Sequence, residues 1–424
     1  MTHCNRMKAI LALTSFAIVG CAGDAAAENL AKPLKVYILA GQSNMVGTGG
    51  IKTFDYIGDD PKAAPLLKQM RGPDGKPYIC KRVWISYLNG RMNQYGGEGF
   101  GKLTAGYGLR EKDAHDKPWD YIGPEFMFGI TLEKAYDGPL LIIKTAWGGQ
   151  NLSCDFRSPS AGPYELNDFQ KELYGKQNRT EAVMAQKREA TGRNYRYRIE
   201  HVKKVLGNIK RVYPDYDAKQ GYELAGFVWF QGWNDYCDTH TYPNTLRGKQ
   251  YDLYSELLAH FIRDVRKDLK APKMPFVIGV HGLFGDLKPG TFDTRGGAER
   301  RWKCFRKAQA TPADLPEFKG NVVAVQTAPF WNEKLGAISL KQLKIKQMNR
   351  KLQHQQEAGK MTAQERKERV DKHRAELITP DEQALLQRAA STGGNIHYFG
   401  SAKFHAQAGK SFAEAILEIE ARKD

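Results

Sequence analysis

Four short polar stretches hold the residue types that nucleophilic chemistry would need. The first is Gly41-Gln42-Ser43-Asn44-Met45, which follows an almost unbroken apolar run from Leu34 to Ala40. Open α/β sheets carry catalytic groups at this kind of place, just beyond the carboxyl end of a strand. Ser43 is therefore a candidate nucleophile, and equally a candidate helix cap, a task that serine often performs. Met45 stands where the Gly-x-Ser-x-Gly elbow of an α/β-hydrolase has its second glycine, so a nucleophilic Ser43 needs another scaffold. The second stretch is Ala146-Trp147-Gly148-Gly149-Gln150-Asn151. Paired glycines let backbone N–H groups approach a ligand, as an oxyanion hole requires, or simply make a tight turn. The third, Gln231-Gly232-Trp233-Asn234-Asp235, offers an amide and a carboxylate. The fourth, Asn395-Ile396-His397-Tyr398, offers an imidazole, although a lone histidine is more often structural. Serine is a weak nucleophile near neutral pH, and a neighbouring imidazole can take its proton during attack and return it to the leaving alcohol. Convergent donors stabilise the tetrahedral oxyanion, one donor being worth about 3 kcal/mol.

The elements that must position these stretches are short apolar runs alternating with amphipathic ones. After Leu34–Ala40 come Arg82–Leu88, Pro139–Thr145, Glu223–Phe230, Pro275–His281 and Asn321–Thr327, each reading as a buried strand. Helical spacing is predicted over Glu125–Tyr136, Tyr197–Tyr213, Tyr251–Leu269 and Gly400–Ala421. Strands alternating with helices of these lengths argue for a parallel sheet with helices on both faces. Asn89–Pro118, rich in glycine and charge, reads as a long loop over the sheet. Leu340–Leu377, dense in Lys, Arg, Gln and Glu, reads as one or two solvated helices, with a polyanion or partner surface as the alternative.

Composition sets outer bounds. In 424 residues, 64 Lys and Arg against 47 Asp and Glu give a net charge of +17, which favours polyanionic surroundings. No zinc finger, RNA-binding aromatic signature or helix-turn-helix pattern accompanies that charge, so no nucleic-acid partner is expected. Arg6 and Lys8 precede the apolar run Ala9–Val19, the layout of a secretory signal too short to span a membrane. Residues 1–27 are expected to be removed at Ala25-Ala26-Ala27; a lipoprotein box ending at Cys21 competes, and a lipid there would be the sole membrane contact. Residues 28–424 then form one domain, exported to the periplasm or beyond. Export permits disulfides among Cys80, Cys154, Cys237 and Cys304, a Cys154–Cys237 bridge and buried thiols both fitting. No Cys-x-x-Cys pair suggests a structural zinc site, and no metal is expected.

The ordered set of GQSNM after the first strand, WGG after a middle strand, WFQGWND after a later strand and His397 before the last helix resembles the SGNH hydrolases. More narrowly, it resembles their sialate O-acetylesterase-like branch, which includes acetylxylan esterases. The resemblance implies a flavodoxin-like three-layer α/β/α sandwich with a parallel sheet. It also implies cofactor-free hydrolysis of O-acetyl esters on carbohydrates. Carried onto matching positions, it makes Ser43 the nucleophile and His397 the general base. The Ser43 N–H and a glycine of the Gly148–Gly149 pair would face the oxyanion, with Gln231 as a further donor and Gln42 and Asn44 beside the substrate. Two positions depart from the pattern: Trp233 replaces a glutamate common in the branch, and Gly394 stands where the superfamily has the aspartate of the triad. Asp235 is the acid left in a recognised block, either orienting His397 or ordering its own loop. The expected function is that of an exported serine esterase acting on acetylated, and on charge grounds polyanionic, carbohydrate. The alternative is a catalytically silent glycan-binding protein on the same fold.

Overall fold

The structure is a computed structural model that describes residues 32–91, 94–109, 120–243, 251–287, 297–392 and 394–422. The expected signal segment, with Cys21 and Ala27, lies outside the described residues. Among the described residues nine strands form: β1 (Leu34–Gly41), β2 (Gly49–Gly50), β3 (Val83–Arg91), β4 (Gln94–Lys102), β5 (Tyr121–Ile122), β6 (Leu140–Gly148), β7 (Tyr222–Phe230), β8 (Phe276–Val280) and β9 (Val322–Gln326). Seven make one sheet in the order β4-β3-β6-β1-β7-β8-β9, and β2 pairs with β5.

β1 is the central strand. It pairs in parallel with β6 on one side and β7 on the other, with Gly41 level with both Ala146 and Phe230. Covered on two edges and two faces, its apolar run leaves Val36, Ile38, Leu39 and Ala40 fully buried. From β1 the chain runs out to β3 and β4, returns to β6, then crosses to β7, β8 and β9 on the far side. The strand order thus reverses around β1, and such a reversal opens a crevice beyond the carboxyl ends of the strands. The stretches after β1, β6 and β7 all emerge there.

Successive residues of β7 show that both faces of the sheet are covered, since neighbours along a strand point to opposite sides. Phe227 and Trp229 meet Phe261 of helix Asp252–Asp268, at 5.9 and 4.4 Å between ring centroids. A side chain at Gly226 would run into Ile416, and Phe230 meets Phe412 at 5.5 Å, both in helix Ala402–Ala421. The closing helix buries Phe404, Phe412, Ile416 and Ile419, each worth about 1.5–3 kcal/mol.

Two expectations are corrected. The sheet is mixed, because edge strand β4 runs antiparallel to β3. The loop expected over Asn89–Pro118 begins instead as that hairpin, while its residues 92–93 and 110–118 lie outside the described ones. Glycine hides β4 in the sequence, but pairing with β3 supplies what its side chains cannot. The charged stretch forms helices Glu333–Glu357 and Ala363–Leu377, followed by Pro380–Ala389. Only Leu335, Ile338, Ile345, Leu352 and Val370 of the first two are buried, as their sparse apolar positions require.

Candidate active site

The turn that carries Ser43 starts where β1 and β7 touch. A Cβ on Gly41 would lie 2.1 Å from the Phe230 carbonyl oxygen, so only glycine closes this strand end. Residues Ser43–Val46 form one helical turn, and Gly47 N–H donates to the Ser43 carbonyl. N–H groups in a first helical turn have no acceptor within the helix, which leaves that of Ser43 for a ligand. Beneath the turn, the buried ammonium of Lys144 in β6 donates to Val46 O and Tyr107 O, each at 2.8 Å, and to Glu125 Oε2 at 2.6 Å. Both charges of this pair are fully buried. Burial pushes Glu125 up and Lys144 down, each against the pull of its partner.

His397 lies on a strap, Asn395–Gly400, with a strained backbone. Its neighbours Tyr398 and Phe399 have φ of 49° and 62°, a left-handed pair costing of order 1–3 kcal/mol each for residues of this kind. The surroundings hold this shape. Tyr398 accepts from Gly282 N–H at 2.9 Å and stacks on Phe404 at 3.3 Å, while Phe399 packs on Trp331 at 4.9 Å. The strap is also stitched to the segment after Ser43. Asn44 Nδ2 donates to Ile396 O at 3.2 Å, Thr48 Oγ1 to His397 O at 3.4 Å, and Ser391 Oγ to both Thr48 O and Gly400 O. Ser43 and His397 therefore share one edge of the crevice, although no hydrogen bond joins the Ser43 hydroxyl to the ring among the described residues. Below them His405 accepts from Thr48 N–H at 3.3 Å. Burial, then the charges of Lys144 and His397, push the His405 imidazole down to about 3, so it stays neutral and keeps that acceptor.

The loops after β6 and β7 are braced by the polar residues that sequence reasoning assigned to chemistry. Asp235 is fully buried. Its carboxylate accepts from Leu152 N–H at 2.8 Å, Ser153 N–H at 3.0 Å, Gln231 Nε2 at 2.6 Å and Tyr242 Oη at 3.0 Å. Four donors occupy a carboxylate, so the expected role of orienting His397 gives way to ordering the loop after Gly148–Gly149. Burial pushes this carboxyl up to about 6 even though all four bonds pull it down. Gln231 is corrected likewise. Its Nε2 is spent on Gln150 O and Asp235, and its Oε1 accepts from Tyr254 Oη, so no donor remains for an oxyanion. Gln42 accepts from Gly232 N–H at 3.0 Å and donates to Asn234 Oδ1 at 2.8 Å, stapling the β1 loop to the β7 loop rather than lining a substrate pocket. Asn44, fully buried, holds the His397 strap, and its Oδ1 has no partner among the described residues.

Asn234 is the residue whose importance the sequence hid. It takes the amide of Gln42 and donates to Gly149 O at 3.0 Å, so it joins three loops at one point. Gly149 has φ of 79°, and this grip on its carbonyl fixes the peptide plane that follows it.

A second Ser/His/acid grouping lies outside the crevice. Ser86 Oγ is 3.0 Å from His201 Nε2 and donates to Glu98 Oε1 at 2.8 Å. Its serine is fully buried and its proton is committed to the carboxylate, so the grouping ties β3 to β4 and does no nucleophilic work. Cys154 and Cys237 are not bridged; the Cys154 thiol faces Lys187 O and Thr191 Oγ1, each at 3.7 Å. Among the described residues no cluster of His, Cys, Asp and Glu could hold a metal, and no helix is long and apolar enough to cross a membrane.

Comparison with known proteins adds the following. The family described as carbohydrate esterase, sialic acid-specific acetylesterase, matches residues 105–365, more than half of the chain. That stretch contains Gly148, Gly149, Gln231 and Asp235 but neither Ser43 nor His397. No curated protein matches. Among solved structures, a carbohydrate acetylesterase from Xanthomonas citri is 15% identical over 70% of this chain and 51% of its own, with a TM-score of 0.37. NanS is 13% identical over 71% of this chain and 79% of its own, with a TM-score of 0.37. A protein from Arabidopsis thaliana is 18% identical over 70% of this chain and 86% of its own, with a TM-score of 0.35.

Proposed function

The chain belongs to the sialic acid-specific acetylesterase family of carbohydrate esterases, and from that premise we propose that it removes O-acetyl groups from carbohydrates, with Ser43 as nucleophile and His397 as general base. The observation that carries the assignment is the stitching of the two segments. Asn44 and Thr48, on either side of the serine turn's end, donate to the carbonyls of Ile396 and His397.

In this mechanism Ser43 Oγ attacks the acetyl carbonyl carbon while the His397 imidazole takes the hydroxyl proton. The carbonyl oxygen becomes an oxyanion facing the N–H groups of Ser43 and Gly149, a residue whose following peptide is held by the Asn234–Gly149 bond. Collapse breaks the bond to the sugar oxygen, which takes the proton from the imidazolium. Water, activated by the same imidazole, then releases acetate and restores the serine. Asp235, through Leu152 and Ser153, is a positioning residue for the glycine loop, and Lys144, through Val46 O, is one for the serine turn. Export through the N-terminal segment remains part of the proposal on the sequence pattern alone.

Turnover of an aryl acetate and of acetylated sugars by the wild type and by Ser43→Ala tests the reading. The variant should keep its fold and lose hydrolysis, and a serine-directed phosphonate should label Ser43 in the wild type. Full activity in Ser43→Ala would refute the assignment, and a wild type inert on both substrates would return the protein to the silent glycan-binding class.

A further inference from the structure

A second concavity, of about 460 Å³, opens between the charged helices and the strap that carries His397. That volume falls within the range of small-molecule sites, about 300–1,000 Å³. Lys52, Lys346 and Arg374 face it, and no Asp or Glu lines it. Two of the three cations have no countercharge among the described residues. Lys52 and Lys346 have no ion pair among the described residues, and the Arg374 guanidinium lies 3.8 Å from Asp371. The neighbouring carboxylate of Glu382 is already spent, held by Lys341 at 2.6 Å and by Thr379 N–H. The hydroxyl Oγ1 of Thr392, also in the lining, is buried without a hydrogen-bond partner among the described residues.

We infer that this cleft is a binding site for an anionic carbohydrate, taking a carboxylated part of the glycan away from the ester that reacts. Arg374 presents a planar fork suited to a carboxylate, with the two lysines as point charges beside it. Gln383 and Gln387 carry amides that both donate and accept, as sugar hydroxyls demand. Ile345 and Leu386 give an apolar surface for the C–H face of a ring. Single-stranded nucleic acid fits less well, because it needs exposed aromatic platforms and the one aromatic of the lining, Phe399, is only 3% exposed. The cleft straddles the edge of the family match, with Gln342, Ile345 and Lys346 inside it. Lys52, Arg374, Gln383, Gln387 and Thr392 all fall outside residues 105–365.

The cleft and the catalytic strap share a backbone, since Phe399 O accepts from Ser391 N–H at 3.0 Å and Thr392 N–H at 3.1 Å. A glycan seated there runs alongside the segment that holds His397. The inference rests on the esterase reading only for the class of ligand, and binding tests it separately from turnover.

The experiment is calorimetric titration of a trigalacturonate and of neutral xylotriose into the full chain and its variants. The wild type should bind the acid and not the neutral sugar. Lys346→Glu/Arg374→Glu, with Lys346→Gln/Arg374→Gln as the gentler pair should the first fail to fold, should weaken the acid at least tenfold and leave aryl acetate turnover unchanged. Lys210→Glu, at an exposed lysine that does not line the cleft, should bind like the wild type. Four results would overturn the inference: no binding of the acid, equal binding of xylotriose, equal weakening by Lys210→Glu, or equal affinity for a single-stranded DNA of the same charge. A wild type that binds the acid but hydrolyses nothing sinks the esterase reading and leaves the cleft standing.

Discussion

Replacing Asp235 by asparagine separates a bracing role from a catalytic one. The carboxylate accepts from four buried donors, two of them the backbone N–H groups of Leu152 and Ser153. Asparagine keeps one acceptor oxygen and turns the other into an NH₂, so two of the four donors lose their acceptor and face a donor instead. A buried donor left unsatisfied costs about 1–3 kcal/mol, giving about 2–6 kcal/mol for the pair. That is a large part of a typical stability of about 5–15 kcal/mol. The variant should therefore melt well below the wild type in calorimetry. It should also show a lower kcat and a higher KM together, because the glycine loop loses its place against the substrate. A residue that orients the catalytic histidine behaves differently: its amide analogue keeps the fold and loses on the order of ten-thousand-fold in kcat. An Asp235→Asn protein with an unchanged melting temperature and that steep loss would refute the bracing argument and return the acid's role to Asp235.

Two further outcomes follow from buried charge. Glu125→Gln leaves the Lys144 ammonium buried without its countercharge and should cost about 3–5 kcal/mol, read from the urea midpoint; Glu125→Gln/Lys144→Met should recover much of it, and an equally unstable double variant would show that the pair's charge is not the cause. Burial pushes the imidazoles of His201, His281 and His405 down to about 4, 3 and 3. Unfolded, they take protons near pH 6.5, so stability is present above that pH and lost as pH falls toward the folded values, by about 2 kcal/mol for each at pH 5. Asp235, pushed up to about 6, has the opposite sign and offsets only part of this. The melting temperature should accordingly fall between pH 7 and pH 5, and a flat profile would mean that these rings are reached by water in the native state.

Much of the fold was legible because buried strands must be apolar on both faces. β1, β6, β7, β8 and β9 lie within one to three residues of the runs read from the sequence. β4 was not legible, since Gln94–Lys102 holds four glycines in nine residues, a loop composition by propensity. What makes it a strand is its partner β3, together with the cross-strand Ser86–Glu98 bond, and neither appears in a local reading. The buried pair under the serine turn left a signal that went unread. A lysine inside the otherwise apolar run Leu140–Thr145 has to find a countercharge and acceptors if the strand is buried on both faces.

The candidate site was legible in its places and not in its labour. The loops could be located because each follows a strand end, and strand order brings the ends together. The tasks of Gln42, Asn44 and Gln231 could not be read, and that of Asp235 stayed a choice of two, because an amide or a carboxylate recognises a backbone N–H as readily as it does a sugar. There is a physical reason why so many of them turned inward. A loop that must present an unpaired N–H to an oxyanion cannot be held by its own turn bonds at that residue. Its restraint has to come from side chains gripping the flanking groups. The loop after β6 is built this way: Asn234 holds Gly149 O, Gln231 holds Gln150 O, and Asp235 takes the N–H groups of Leu152 and Ser153. The N–H of Gly149 is left without an acceptor among the described residues. Preorganised donors act because they need no reorganisation as charge develops. In the mechanism proposed above, the polar residues of these motifs serve the reaction by holding the groups that flank that one N–H.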